Sequence, residues 1–332
     1  MNNRNLRILY AIQGTGNGHL ARATEIVPLL KQLARTDVLV SGIQGDIKLP
    51  FPVDYRLYGM SFIFGRKGGV SLLKTLYRLR PLRLIRDLAK LPVKQYDLVL
   101  CDFEPVSAWA CRLKRKPCIG VSHQNAVLHA KAPLPDKKNS LGHFILKNYA
   151  PVSFKYGFHF TALDADNYSP VIRPAIRKAV PENKGHYTVY LPAYSNKEIE
   201  HILSAFPDTR WEVFSKHSPE TYQQKNISFH PVSLEGFSKS FINCAGILCT
   251  AGFETPAEAI YMGKKLCVVP MKNQYEQACN AAFLKSMEIT VLTDLRTGQN
   301  QIGRWLKEED ALQIDFPDDT AEILKKIISD RI

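Results

Sequence analysis

Five polar side chains fall at the ends of three short apolar runs in the first half of the chain. His19 follows the glycine loop Gln13-Gly14-Thr15-Gly16-Asn17-Gly18. Asp102 and Glu104 follow the run Asp97–Cys101, and His123 and Asn125 follow Cys118–Val121. Acidic groups at the carboxyl ends of parallel strands face the ligand crevice of an α/β domain. An imidazole titrates near neutrality and can take the proton of an attacking hydroxyl. Plainer duties suit the same residues. His19 can bond backbone at a helix start, and the other four can cap helices and turns. Any one alone reads as structural; five at successive strand ends read as a site.

A second constellation occupies residues 247–282. The apolar runs Ile247–Cys249 and Leu266–Val269 predict buried parallel strands. Between them Ala251-Gly252 turns the chain into a helix predicted from Thr255 to Met262 and stopped by Gly263. A strand, a glycine turn and a helix start make a place for phosphate, because the first helix amides point at the ligand and the dipole favours negative charge. Gly252 permits close approach, and Thr255 adds a hydroxyl donor. One turn on, Glu258 stands where a carboxylate can accept from the two hydroxyls of a ribose. Glu276-Gln277 and Asn280-Ala281, past the second strand, suit the hydroxyls of a sugar. The competing reading is an ordinary βαβ unit whose Glu258 and Glu276 are solvated helix residues.

The elements that must position these groups alternate strand and helix along the whole chain. Its 332 residues allow two domains. Strands are predicted at Leu6–Ile12, Asp37–Ser41, Val53–Met60, Asp97–Cys101, Cys118–Val121 and Tyr156–Ala162. After a proline-rich linker, Tyr168 to His186, more follow at Tyr187–Leu191, Trp211–Ser215, Ile227–Phe229 and Val291-Leu292. The spacing Gly14-x-Gly16-x-Gly18 departs from the dinucleotide pattern G-x-G-x-x-G, and no acidic residue ends a second strand, which disfavours NAD. Asp164-Ala165-Asp166 is a three-letter match to a metal-binding D-x-D and reads better as a turn cap.

Composition narrows the classes further. The hydrophobic fraction, 45%, is ordinary for a packed globular chain. No apolar run approaches the ~20 residues that span a bilayer. The chain enters a strand at once, with no signal-like apolar stretch, so a cytoplasmic location is expected. The seven cysteines are dispersed and lack a Cys-x-x-Cys pair, which predicts buried thiols rather than disulfides or zinc. A net charge of +13 implies acidic partners. No nucleic-acid-binding signature accompanies it, so anionic lipid and phosphorylated substrates rank above nucleic acid. From Phe62 to Leu91, basic residues interleave with leucines as one or two helices broken near Pro81. Such a segment either lies on anionic lipid or packs its leucines on the sheet.

The string Gly252, Thr255, Glu258, Pro270, Glu276-Gln277 and Asn280-Ala281 resembles the donor signature of GT-B glycosyltransferases. The likeness is to family 28, the peptidoglycan N-acetylglucosamine transferases, and to the family 1 UDP-glycosyltransferases. The loop ending in Gly18-His19 and the Ser122-His123-Gln124-Asn125 loop resemble family 28 as well. Two departures are Thr250, where many family 1 members carry His, and Lys264-Lys265 in place of a Gly-x-Pro strand start. The resemblance implies an α/β fold of GT-B type, two doubly wound Rossmann-like domains facing across a cleft. Residues 1–168 would bind the acceptor and 187–317 the donor, with a C-terminal helix near 318–332 packing back on the first domain.

The resemblance further implies donor contacts from Gly18, Gly252, Phe253, Thr255, Glu258, Glu276 and Gln277, with the base of the nucleotide near His230–Val232. Acceptor contact would come from Asn125, and the catalytic candidates are His19, Asp102, Glu104 and His123. Retaining GT-B families often carry a second acidic residue eight positions before the ribose glutamate. Thr250 stands there, which implies an inverting, metal-independent transfer without a cofactor. The expected partners are a nucleotide-sugar, a UDP-sugar first of all, and a lipid-linked or saccharide acceptor, with an anionic membrane surface at 62–91 and no nucleic acid. Two competitors are a UDP-N-acetylglucosamine 2-epimerase-like enzyme and a non-catalytic nucleotide-sugar-binding protein.

Overall fold

The structure, a computed structural model, describes residues 6–42, 48–60, 80–137 and 139–332. Strands β1 (Arg7–Gln13), β2 (Arg35–Ser41), β3 (Tyr55–Leu57), β4 (Leu98–Asp102), β5 (Ile119–Val121), β6 (Phe154–Phe158) and β7 (Asn167–Tyr168) form one sheet in the order β3-β2-β1-β4-β5-β6-β7. All its pairings are parallel. Strands β8 (His186–Tyr190), β9 (Arg210–Phe214), β10 (Tyr222–Gln224), β11 (Ile227–His230), β12 (Gly246–Thr250), β13 (Lys265–Val269) and β14 (Thr290–Val291) form the second, in the order β10-β11-β9-β8-β12-β13-β14. Only β10 is antiparallel to its neighbour. This is the pair of doubly wound sheets that the resemblance implied.

The central strands are apolar along their length because helices cover both faces. In β1, Ile8 through Ile12 are fully buried, and β12 is buried throughout. The order of each sheet reverses once, between β1 and β4 and between β8 and β12. At such a reversal neighbouring connections leave in opposite directions and open a crevice at the carboxyl ends of the strands. In the first sheet Ile12 pairs with Asp102, so the glycine loop and the acidic strand end lie side by side.

One apolar core runs through both sheets, from Tyr10 and Phe158 to Phe253, Phe283 and Val268. The last helix, Thr320–Ser329, buries Ile323, Leu324, Ile327 and Ile328. It packs against the helix Asn17–Leu33 of the first sheet. Lys326 Nζ donates to the Ala165 carbonyl at 3.0 Å, and Arg331 Nε to the Tyr156 hydroxyl at 3.0 Å. The chain end therefore returns to the first sheet.

Several expectations change in detail. The strand predicted to reach Ala162 ends at Phe158, because His159 and Phe160 turn into the aromatic contact with Phe283. The short strands β7 and β10 carry no run long enough to be read from sequence. Asp164 caps its own turn, accepting from Asp166 N and Asn167 Nδ2, with His129 on its other oxygen. Pro81 begins the helix Pro81–Lys90 rather than breaking one. No residue of that helix is fully buried; Leu88 packs on the core of the first sheet, but Leu82 and Ile85 are 83% and 62% exposed, so only part of the apolar side is covered. The rest of the basic segment up to residue 79, with Arg66, Lys67 and Lys74, lies outside the described residues. All seven cysteines are buried free thiols.

Candidate active site

The carboxyl ends of β1, β4, β8 and β12 open on one cleft of about 570 Å³ between the sheets. It is lined on one side by the 13–22 loop and helix start, Phe103, His123 and Gln124. The other side carries Tyr190, Gly252 to Thr255, Glu258, Met271 and Asn273 to Gln277. Asn17 Nδ2 donates to the Tyr190 hydroxyl across it at 3.1 Å.

On the first side, Gly16 adopts φ +96°, a conformation that glycine takes at no steric cost, and the helix Asn17–Leu33 starts directly after it. His19 and Arg22, three residues apart, therefore share one face of that helix. His19 Nδ1 lies 2.8 Å from Asp102 Oδ1. A carboxylate can only accept, so Nδ1 carries the proton; Arg22 Nη2, 3.1 Å from Nδ1, gives its hydrogen to the nearer Asp102 Oδ1, and Nε2 keeps its lone pair. Nε2 lies 3.3 Å from Gln124 Nε2, which donates to it, while the other Gln124 hydrogen reaches Glu276 Oε2 at 3.0 Å. Gln124 Oε1 is buried and has no hydrogen-bond partner among the described residues.

Asp102 is fully buried yet ionised. Burial pushes its carboxyl up, but the Arg22 guanidinium and His19 outweigh this and hold it below the usual carboxylate range. Arg22 Nη2 lies 2.5 Å from Asp102 Oδ1 and Nε 3.2 Å from Oδ2, and the Tyr10 hydroxyl donates at 3.3 Å. The free arm of Arg22, Nη1, crosses to Glu254 of the second sheet's helix. Phe103 follows Asp102 in the left-handed region, φ +54°. That conformation costs a bulky residue about 1–2 kcal/mol, and it sets the ring parallel to His19 and against Tyr149.

Three of the expected first-domain residues do other work. Glu104 is fully buried at the N-cap of the helix Pro105–Leu113, accepting from Val106 N, Ser107 N and the Ser41 hydroxyl. It does not line the cleft, and a carboxylate spent on a helix start is unavailable as a base. Asn125 donates to the Tyr156 carbonyl at 3.0 Å and fills the space over Gly120, away from the cleft. It holds the loop, so the acceptor role expected for it is not supported. His123 touches the cleft, but its ring stacks on Phe253 at 3.8 Å. Its Nδ1 donates to the Phe158 carbonyl and its Nε2 lies 2.8 Å from Asn280 Oδ1. Burial, with His159 nearby, pushes it well below the usual imidazole range. It is a joint between the two sheets rather than a proton acceptor.

On the second side the helix starts at Glu254 and ends at Tyr261, one residue earlier than the spacing predicts at each end. A Cβ on Gly252 would project into open space, so room above the helix start is left for a ligand. Thr255 lines the same place, and Phe253 sits under it on His123. Gly18 faces the helix from across the cleft, with Glu254 Cγ 3.4 Å from where its Cβ would be. Glu258 is buried and gripped by Arg173, with Nε on Oε1 and Nη2 on Oε2, both at 2.6 Å. Glu276 keeps an oxygen on Gln124, and burial raises its carboxyl. Gln277 is turned inward, where its Oε1 accepts from Met271 N at 2.9 Å and fixes the loop after β13. Asn280 ties the Ala251 carbonyl to His123 and is fully buried, so it is not offered to a sugar. Val232 lines the cleft, whereas His230 stacks on Phe214.

Arg22, Glu254, Arg173 and Gln124 were not singled out from the sequence. For Arg22 there was a signal: one turn after His19, an arginine interrupts an otherwise apolar helix face. Arg173 gave none, since a basic residue between linker prolines is commonplace.

No protein of curated function matches the sequence. MurG of Acinetobacter baumannii superposes with a TM-score of 0.54 at 17% identity, covering 98% of this chain and 99% of MurG. A UDP-glucosyltransferase from Polygonum tinctorium capable of glucosylating indoxyl superposes with 0.63 at 12% identity, covering 100% and 99%. For SnogD, a glycosyltransferase from Streptomyces nogalater, the values are 0.54, 13%, 98% and 99%. These likenesses establish the GT-B fold. The model of glycosyl transferase family 1 matches residues 6–308, nearly the whole chain, and the protein is therefore a glycosyltransferase of that family.

Proposed function

We propose that the protein moves a sugar, with inversion, from a UDP-sugar to a hydroxyl of a lipid-linked or saccharide acceptor. The observation that carries this reading is the His19–Asp102 pair, in which His19 lines the cleft opposite the donor helix with Nε2 against Gln124. An acceptor hydroxyl that displaces Gln124 from Nε2 gives its proton to His19 as its oxygen attacks the anomeric carbon. The Nδ1 proton stays on the bond to Asp102, whose charge stabilises the imidazolium that forms. The buried Gln124 Oε1 is a ready acceptor for a neighbouring hydroxyl. Charge on the departing diphosphate falls on the amides at Gly252–Thr255 and on the Thr255 hydroxyl.

Glu258 still offers a ribose one lone pair on each oxygen, because a carboxylate has about four acceptor sites and Arg173 takes two. Glu276 is the sugar-facing carboxylate. In this reading residues 1–168 bind the acceptor and 187–317 the donor. Exposed Leu82 and Ile85 beside Arg83 and Arg86 support docking on an anionic membrane, which brings a lipid-linked acceptor to the cleft.

Incubation with a panel of nucleotide-sugars, with and without lipid extract, tests this. A glycoside of inverted anomeric configuration is expected. Release of an epimerised sugar without acceptor, or binding without turnover, would point instead to a 2-epimerase or a binding protein.

A further inference from the structure

Glu254 stands first in the helix Glu254–Tyr261, whose N-cap, Phe253, makes no side-chain capping bond among the described residues. Glu254 reaches across the cleft to Arg22 Nη1. Arg22 is 1% exposed, and its other nitrogens are on Asp102. One guanidinium thus serves two carboxylates from opposite sheets. Asp102 is the better served, with two Arg22 contacts, His19 and Tyr10. Glu254 has one, and it springs from the helix start assigned above to the donor's diphosphate. A diphosphate arriving there meets a carboxylate that repels it and already occupies the cation.

We propose that Glu254 is the proton-coupled residue of the donor site: it holds on Arg22 the place of a donor phosphate, and a nucleotide-sugar binds with uptake of one proton at this carboxyl. This rests on the helix start being the diphosphate site. Several elements face Glu254: Arg22 and His19 from the helix Asn17–Leu33, Tyr10 from β1, Asp102 from the end of β4, Arg173 from the linker and Glu258 from its own helix. Burial pushes Glu254 up to about 7, with Arg22 opposing and Glu258 and Asp102 reinforcing. A phosphate alongside adds more negative charge and favours the protonated form. The phosphate then takes the place of Glu254 on Arg22 Nη1, and the neutral carboxyl, released from Arg22, donates its hydroxyl to a phosphate oxygen. The proton comes from solvent, and no bond to the sugar forms or breaks.

The test is calorimetry of UDP-glucose and UDP-N-acetylglucosamine binding to the full chain at pH 6, 7 and 8. Each pH is run in two buffers of different ionisation enthalpy. Both ligands keep a fixed diphosphate charge over this range. Affinity should fall about tenfold from pH 6 to pH 8, with close to one proton taken up at the upper end. Glu254→Gln should bind both ligands equally at all three pH values, with heats independent of buffer. If that variant fails to fold, the proton count on the wild type decides by itself. Binding without proton uptake, or uptake that persists in Glu254→Gln, overturns the inference while leaving the donor site in place. No binding at any pH overturns the donor-site reading, and this inference with it.

Discussion

The two sides of the cleft solve the same problem with different materials. Each is a reversal point of a parallel sheet with a loop and a helix start above it. The second side presents backbone: an open Gly252 and the first amides of one helix, all within a dozen residues of sequence. The first side presents side chains gathered from far apart. His19 and Asp102 are 83 residues from each other, and Gln124 is 105 from His19. Backbone amides suit a phosphate that always arrives with the same charge. A proton acceptor must change charge during the reaction, so it needs a buried carboxylate, fixed in place, to hold its tautomer. Both sides hold a buried ion pair, Arg22–Asp102 and Arg173–Glu258, but only the first couples its pair to a proton acceptor, which makes it the more sensitive to loss of a single group.

That asymmetry can be broken by substitution. Asp102→Ala should have the largest effect, because it leaves Arg22 buried beside Glu254 alone and releases His19. Removing one partner of a buried pair costs about 3–5 kcal/mol, which urea titration would read, with turnover lost as well. Glu258→Ala should weaken nucleotide-sugar affinity about ten- to a hundredfold through lost charge-assisted hydrogen bonds. Sequence alone predicts an intact fold for this variant. The buried Arg173 changes that expectation to a lower melting temperature. Equal affinity for every nucleotide the wild type binds would remove Glu258 from the donor site. Gln277→Ala should act less directly, loosening the Met271 loop and weakening nucleotide-sugars more than the bare diphosphate nucleotide.

The smallest effect is on pH dependence of stability. Glu254 has a folded pKa raised above its unfolded value, so its contribution is present below about 4.3 and is lost as pH rises through about 7. The melting temperature should rise as pH drops from 8 to 6, and Glu254→Gln should flatten that slope. Asp102 works the other way: its depressed pKa adds stability above about 3.9 that disappears only in stronger acid.

The same asymmetry decides what could be read in advance. The strand, turn and helix around Gly252 are local, so their pattern survives in a contiguous string, and the helix bounds came within one residue. The burial of the central strands was also plain from their apolar runs. Side-chain roles on the first side depend on who approaches across the sheet. Glu104, Asn125 and His123 have the right residue types at the right strand ends, yet they are absorbed by a helix cap, a carbonyl of β6 and an interdomain stack. Glu104-Pro105 did carry a clue, since proline favours the first helical position and leaves the residue before it as the cap. Arg173 and Glu254 acquire their meaning only when the linker and the helix of the first sheet close on the donor helix.

The most direct test of the account is His19→Ala, measured twice. With the donor and acceptor found by the panel, turnover should fall by about 10²–10⁴. Calorimetric affinity for the nucleotide-sugar should stay within about twofold, because the lost group acts on the acceptor proton and not on the donor. Turnover equal to wild type would contradict the assignment of His19 as the base, and with it the division of the cleft into a proton-handling side and a phosphate-handling side.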